Sequence, residues 1–211
     1  MCGRFSLFAE EKELEERFQL HLGFPIQASY NIAPTQNVLV VKEEEGQRVP
    51  NLFRWGLIPF WAKDKKIGSK MINARAETVN EKPSFKRLLS RKRCLIPASG
   101  FFEWAKEGET KQPYFIRQKD GGLFSFAGLW DTWDKEGTVL HTCTIITTNA
   151  NQLMESIHNR MPVILDPEKE VIWLDTSMED SNYLKSLLIS YPSDLMEAYP
   201  VSHVVGSPRN N

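Results

Sequence analysis

Cys94-Leu95-Ile96-Pro97-Ala98 and, one residue on, Gly100-Phe101-Phe102-Glu103-Trp104 read as two consecutive strands. Both are short apolar runs bounded by small or turn-forming residues, which is the pattern of strands rather than helices. In the second run, alternation sends Phe102 and Trp104 to one face and Glu103, with Phe101 and Ala105, to the other. A carboxylate on that face either finds a partner, with burial raising its pKa, or stands at an exposed edge. The pattern leaves both open.

Downstream, Lys106 to Gln112 reads as a polar hairpin loop. Tyr114 to Arg117, Leu123 to Trp133 and Val139 to Thr148 read as three more strands, with turns at Asp120-Gly121-Gly122 and Lys135-Glu136-Gly137. Cys143 falls inside the last of them, as a core residue. Upstream, Val38 to Lys42 and Val49 to Arg54 form a strand pair about the polar turn Glu43 to Gly46, and Tyr30 to Pro34 is a short extended element. Helices are fewer. Glu10 to Leu20 carries Leu14 and Phe18 at i, i+4 and stops before Gly23 and Pro25. Pro83 to Leu89 is closed by Arg91-Lys92-Arg93. A short helix capped by Asn149 runs to Ile157, and Glu168 to Leu174 and Ser181 to Ile189 are two more. Pro200 to Val205 reads as a late strand and residues 207–211 as a frayed tail. This is an α+β chain, mostly antiparallel, in a single domain spanning 1–211.

The 211 residues are 41% hydrophobic and 25% charged, enough for one real core. A net charge of −1 excludes bulk attraction to polyanions. Between Arg54 and Arg93, however, twelve basic residues face three acids, which suggests either one phosphate-facing surface or a solvated lysine face. Three unpaired cysteines (Cys2, Cys94, Cys143) and four scattered histidines argue against a disulfide framework or a metal site. There is no leader and no membrane-spanning run, so a reducing, cytoplasmic setting is expected.

Four stretches carry chemistry. Met1-Cys2-Gly3-Arg4-Phe5 places Cys2 after an initiator Met whose removal would leave a free 1,2-aminothiol. The amine is part neutral near pH 7, and the thiol pKa is easily lowered by cations. Such a group condenses with an aldehyde to a Schiff base and closes to a thiazolidine. Otherwise Cys2 is an ordinary packing residue. Trp55-Gly56-Leu57-Ile58-Pro59-Phe60-Trp61 is aromatic but broken by Gly and Pro. Trp55 suits the core, while Phe60 and Trp61, beside Lys63, Lys65 and Lys66, suit stacking on unpaired bases. Asn73, Arg75 and Glu77 share a face if Met71 to Thr78 is extended. His158 lies in a loop close to Arg160 and can titrate near neutrality.

Together these stretches resemble the SRAP family, the SOS-response-associated peptidase domain that processes abasic sites in single-stranded DNA. The resemblance covers Met1 to Phe5, Tyr30-Asn31 with Pro34, Trp55-Gly56 with Pro59 and Trp61, Asn73 to Thr78, Gly100 to Trp104, Thr147-Thr148, His158 to Pro162 and Pro200 to Ser202. His203 departs from relatives that carry Arg. The resemblance implies a β-barrel-like, largely antiparallel sheet with flanking helices and a mature chain that starts at Cys2 in a positively charged cleft. It also implies a thiazolidine crosslink between Cys2 and the ring-opened abasic aldehyde. Catalytic roles fall to Cys2 as double nucleophile, Glu103 as proton relay, Asn73 as an orienting amide and His158 as acid. Arg4, Arg75 and Arg160 are implied phosphate ligands, with Trp61, Phe60 and Thr148 completing the DNA-binding set. No metal or organic cofactor is called for, the partner is abasic single-stranded DNA rather than a membrane, and a monomer is expected. Two other readings stand beside this one: a thiol peptidase whose best-motivated substrate is its own Met1-Cys2 bond, and a non-covalent reader of modified bases in DNA.

Overall fold

Central strands buried in continuous runs on both faces build the protein around two sheets. The computed structural model describes residues 2–135 and 137–211. In chain order, β1 (Phe5–Leu7) is followed by α1 (Glu11–Phe18), β2 (Ser29–Ile32), β3 (Asn37–Glu44) and β4 (Gln47–Trp55). A 3-10 turn at Lys65–Lys70 leads to β5 (Asn73–Arg75) and α2 (Lys86–Arg91). Five long strands come next: β6 (Arg93–Ala98), β7 (Gly100–Glu107), β8 (Thr110–Gln118), β9 (Phe124–Lys135) and β10 (Thr138–Asn149). A 3-10 turn at Met154–Ser156 precedes β11 (Arg160–Pro162), β12 (Ile164–Leu165), α3 (Pro167–Leu174), α4 (Ser181–Ser186) and β13 (Met196–Pro200).

Five strands close into a ring. β3 pairs antiparallel with β4 and β6, β6 with β9, and β9 with β10. A parallel pairing of β10 with β4, Thr142 opposite Arg54 and Cys143 opposite Trp55, completes the circuit. The second sheet is antiparallel throughout, in the order β13-β8-β7-β1-β2. The two sheets meet on aromatic rings. Phe5 of β1 packs edge-on against Trp55 and Phe126, at 5.2 and 5.6 Å between centroids, and Phe101 of β7 meets Phe126 at 6.1 Å. All four rings are buried to within 1%, and such edge-to-face pairs add to the area term in holding the layers together.

Strand β10 outruns its ring partners, and its far end positions the site. Ile145, Ile146 and Thr147 run parallel to Asn73, Ala74 and Arg75 of β5. Thr147, Thr148 and Asn149 lie antiparallel to Pro162, Met161 and Arg160 of β11. Between β4 and β5 the chain is tied back by a close backbone approach. Gly56 has φ +132°, and a Cβ there would stand 2.6 Å from the Gly68 carbonyl oxygen. Only glycine accepts both that dihedral and that contact.

On the other side, α1 turns Leu14 and Phe18 inward. Asp166 caps α3 through the Lys169 N–H with Pro167 in the first turn. Glu170 of α3 is fully buried, gripped by Arg17 at 2.8 and 3.0 Å and by Ser125 Oγ at 2.7 Å, with Arg48 at 3.5 Å. A buried carboxylate needs such partners.

The structure corrects several local expectations. The polar loop at 106–112 is a two-residue turn, because β7 and β8 pair as far as residues 107 and 110. No α-helix starts at Asn149. That residue ends β10, and Asn151 accepts the Met154 N–H to cap the 3-10 turn instead. The helix expected over 83–89 runs Lys86–Arg91, and α4 ends at Ser186. The late strand is Met196–Pro200, paired with β8, while residues 203–206 form a 3-10 turn. Arg93 does not close α2 as a surface cation. It is 5% exposed and donates to the Leu89, Trp173 and Asp175 carbonyls. The tail at 207–211 is bound, not frayed: Asn211 Oδ1 accepts from the Tyr30 and Asn31 backbone N–H groups. β9 ends at Lys135 and β10 starts at Thr138; the turn expected at Lys135-Glu136-Gly137 includes Glu136, which lies outside the described residues.

Candidate active site

β7 carries Glu103 inward, as alternation requires of one of its two faces. Phe101, Glu103 and Ala105 are 0, 3 and 6% exposed, so the exposed-edge alternative fails. Burial is the main cause that raises the Glu103 carboxyl above the ordinary carboxylate range, and the nearby His158 opposes it. The neighbouring strand β1 brings Cys2 to the same place. Phe5 pairs with Phe101, and the Phe102 N–H donates to the Arg4 carbonyl at 2.9 Å. The Cys2 thiol comes close enough for the Glu103 charge to act on it. Cys2 is fully buried. Burial first, and the Glu103 charge second, push its thiol pKa well up, while a hydrogen bond from the Arg4 backbone N–H counters them. Burial therefore works against the lowering that nearby cations can give a cysteine thiol. Met1, and with it the Met1-Cys2 bond, lies outside the described residues.

Glu103 and His158 border one open cleft of about 390 Å³, together with Trp104, Lys111 and Gly206. His158 Nδ1 accepts the Arg160 backbone N–H at 3.0 Å. The same ring nitrogen stands 3.3 Å from the Arg160 carbonyl oxygen. Asn73 enters from β5. Its predecessor Ile72 accepts the Trp55 indole N–H at 2.9 Å, and Trp55 packs on Phe5, so β5 is linked to β1 through one ring. Both polar atoms of the Asn73 amide are buried with no partner among the described residues. A buried amide without bonds costs on the order of 1–3 kcal/mol, so it is a candidate for a role outside the fold.

The six expected DNA contacts separate into groups. Arg75 is exposed at the end of β5. Arg4 is half-buried, with Nη1 donating to Asn31 Oδ1 and the Val205 carbonyl, both at 2.8 Å. Arg160 is held by Glu77, Asn149 and the Thr147 carbonyl. Thr148 is 7% exposed. Phe60 and Trp61 are each 47% exposed. Trp61 lines a second cleft of about 350 Å³ with Lys63, Lys66 and Lys70, and Arg87 lies over the Phe60 ring at 4.4 Å. This loop is pinned to the barrel where the Ile58 N–H meets Thr142 Oγ1 and the Phe60 N–H meets Asp131. From Thr142 to Thr148 along β10 is roughly 20 Å at strand rise. The aromatic loop is thus pinned beside Thr142, six residues along β10 from Thr148.

Of the basic residues between Arg54 and Arg93, Lys92 is committed to Asp131 and Arg93 to backbone carbonyls, while those from Lys63 to Arg87 stay exposed. A larger depression of about 620 Å³ between α1 and α3 holds a Glu15–His21 pair and Arg48 but no nucleophile. Sequence reasoning missed Trp104, Lys111 and Gly206 as cleft residues. Trp104 was visible as the neighbour of Glu103, whereas nothing local marks Lys111 or Gly206. Among the described residues, no group of three His, Cys, Asp or Glu side chains is arranged to hold a metal, and no helix is long and apolar enough to cross a membrane.

Comparison with known proteins bears on this geometry. The model of the family described as SOS response associated peptidase (SRAP) matches residues 1–208. The chain is 52% identical over 216 residues to "Abasic site processing protein YoqW" of Bacillus subtilis, covering 100% of this chain and 96% of that one. It is 50% identical over 216 residues to "Abasic site processing protein YoaM" of the same organism, covering 100% and 95%. A crystal structure of a protein from Bacteroides thetaiotaomicron superposes with a TM-score of 0.91 at 33% identity, covering 100% of this chain and 97% of that one.

Proposed function

This chain belongs to the SOS response associated peptidase family, and from that premise we propose that it processes abasic sites in single-stranded DNA by bonding to them covalently. The observation that carries the proposal is the meeting of Cys2 with Glu103 beneath a cleft that His158 also lines. The names of the relatives point the same way.

After removal of Met1, the Cys2 nitrogen attacks the aldehyde carbon of the ring-opened sugar. The carbinolamine loses water to give a Schiff base. The Cys2 sulfur then adds to the same carbon, its proton passes to nitrogen, and a five-membered thiazolidine closes. The net change is aldehyde plus aminothiol to thiazolidine plus one water. A thiol that burial keeps neutral suits this order, with the amine reacting first and the sulfur second. Glu103 takes a proton from the nucleophile and returns one to the departing hydroxyl, work that favours a carboxyl raised toward neutrality. His158 donates to the sugar ring oxygen as the hemiacetal opens. The Asn73 amide supplies a donor and an acceptor to the amine or the sugar without adding charge. Arg4 and Arg75 contact phosphates, and Trp61 stacks on a base. A Schiff base also permits β-elimination, so strand cleavage accompanies crosslinking at a low level. A peptidase acting broadly would need a ready thiolate, and the buried Cys2 sulfur argues against it.

The test is incubation of purified protein with an abasic single-stranded oligonucleotide, followed by a denaturing gel. A heat-stable shifted band is expected, absent with Cys2→Ala and absent when an N-terminal tag blocks Met1 removal. A tagged protein that crosslinks normally would overturn the aminothiol mechanism. Native binding without any denaturation-stable band would reduce the protein to a reader.

A further inference from the structure

The bound tail converges on one side chain. Asn31 is 2% exposed in β2. Its Oδ1 accepts from Arg4 Nη1 at 2.8 Å. Its Nδ2 reaches the carbonyls of Val205, Ser207 and Asn210 at 3.1, 2.9 and 2.8 Å. Val205 O accepts from Arg4 Nη1 as well. Asn211 Oδ1 answers by accepting from Ser29 Oγ and from the Tyr30 and Asn31 N–H groups. Gly206 sits between two of the carbonyls that Asn31 holds, and it borders the cleft with Glu103 and His158.

Among the described residues, Arg4 is thus held through Nη1 and not through Nε. Nη1 is engaged, the guanidinium carbon lies 5.9 Å from the Trp104 ring, and Nε is buried with no partner among the described residues. An arginine restrained before its ligand arrives loses less freedom on binding. The restraining group is an amide, so it holds the cation without cancelling its charge. A carboxylate at this position would hold Arg4 but neutralise it, and would repel the three carbonyls.

We propose that Asn31 is a positioning residue of the lesion cleft: it locks residues 203–210 as one wall and holds the Arg4 guanidinium ready for a backbone phosphate of single-stranded DNA. The inference rests on the proposed function for the identity of the ligand. Asn31 acts through Arg4 and the tail and touches no reacting atom.

The test uses equilibrium binding to an oligonucleotide with a non-reactive tetrahydrofuran abasic analogue, measured across a salt series, so that it does not depend on crosslink formation. Asn31→Ala is expected to weaken binding roughly tenfold, the scale of one hydrogen bond to a charged group. The slope of log affinity against log salt should fall by about 0.7, the value of one lost phosphate contact on a single strand. Arg4→Ala should do the same, and the double variant should be no worse than either alone. Asn31→Asp should show the same shallower slope, because it pairs with Arg4 and cancels its charge. Truncation after Ser202 removes the Val205 carbonyl, together with the Asn211 bonds to β2, while leaving Asn31 itself in place, and keeps the question open to measurement if Asn31→Ala fails to fold. It should reproduce the weakened binding. Losses from Arg4→Ala and Asn31→Ala that multiply, or a truncated chain with unchanged affinity and slope, would overturn the proposal. If the unaltered protein binds the analogue but forms no crosslink with a reactive site, the covalent reading fails while the result on Asn31 stands.

Discussion

Arg160 grips Glu77 with both prongs of its guanidinium, Nη1 to Oε1 at 2.6 Å and Nη2 to Oε2 at 3.0 Å. The pair joins the turn after β5 to the start of β11, and Nη2 also donates to the Thr147 carbonyl on β10 between them. Three elements of the site are thus held by one cation whose neighbour but one is His158.

A lysine keeps the charge and loses the fork. Arg160→Lys is expected to lower stability by about 1–2 kcal/mol, the scale of the charge-assisted bonds it cannot remake. Urea unfolding measures this. A variant as stable as the parent would show that the clamp contributes nothing.

The Arg160 hydrogen bond is the first cause that lowers the Glu77 pKa. A carboxyl depressed on folding adds stability above its unfolded pKa, near 4.3, and loses it as pH falls through the folded value. Glu77→Gln should therefore flatten the acid limb of the stability curve below about pH 4.3. Equal slopes in both proteins would reject this linkage.

Glu103 runs the opposite way. Burial raises its pKa, so the folded protein holds a proton that the unfolded chain releases, and stability falls as pH rises from the unfolded value through the folded one. Glu103→Gln should be more stable than the parent at pH 7 yet crosslink slower by roughly 10²–10⁴-fold, the range of a lost acid–base group. A stabilised variant with undiminished crosslinking would remove Glu103 from the chemistry.

Asn73 has no bonds in the described structure for a mutation to break. Asn73→Ala should leave the melting temperature unchanged or raise it by a few degrees, since a change of 1 kcal/mol moves a domain of this size by about 2–4 °C. Single-turnover crosslinking should nevertheless slow by roughly tenfold or more, the factor of a lost hydrogen bond of about 1.4 kcal/mol. Matching losses in melting temperature and rate would mark the residue as purely structural.

Trp61→Ala should weaken binding of undamaged single-stranded DNA by about 1–3 kcal/mol, the value of one base stacked on a ring. Its melting curve should hardly move, because the ring is half exposed and Trp133, not Trp61, packs into the small core beneath the loop. Filter binding and calorimetry on the same preparation decide the point.

Much of the architecture was legible because alternation is a local signal. Phe101, Glu103 and Ala105 turned inward together, and the β3–β4 hairpin and β9–β10 formed where apolar alternation met turn residues. The closure of the ring was not legible. The parallel contact of Arg54 and Trp55 with Thr142 and Cys143 joins segments almost ninety residues apart and leaves no periodic trace. Arg93 looked like a helix-terminal cation because composition does not reveal that three carbonyls wait for it. The tail looked frayed because its polar residues carry no apolar stripe, yet Asn31 and Asn211 hold it through hydrogen bonds alone. Within the site, residue types suggested the amide, the carboxylate and the imidazole, while desolvation of the Cys2 sulfur depended on tertiary burial that no spacing encodes.

Burial of that sulfur has a further consequence. Peroxides attack thiolates that solvent can reach, and the Cys2 side chain offers no accessible surface, while burial pushes its thiol pKa up. The sulfur proposed above as nucleophile is thereby kept out of reach of such oxidants until the cleft is engaged.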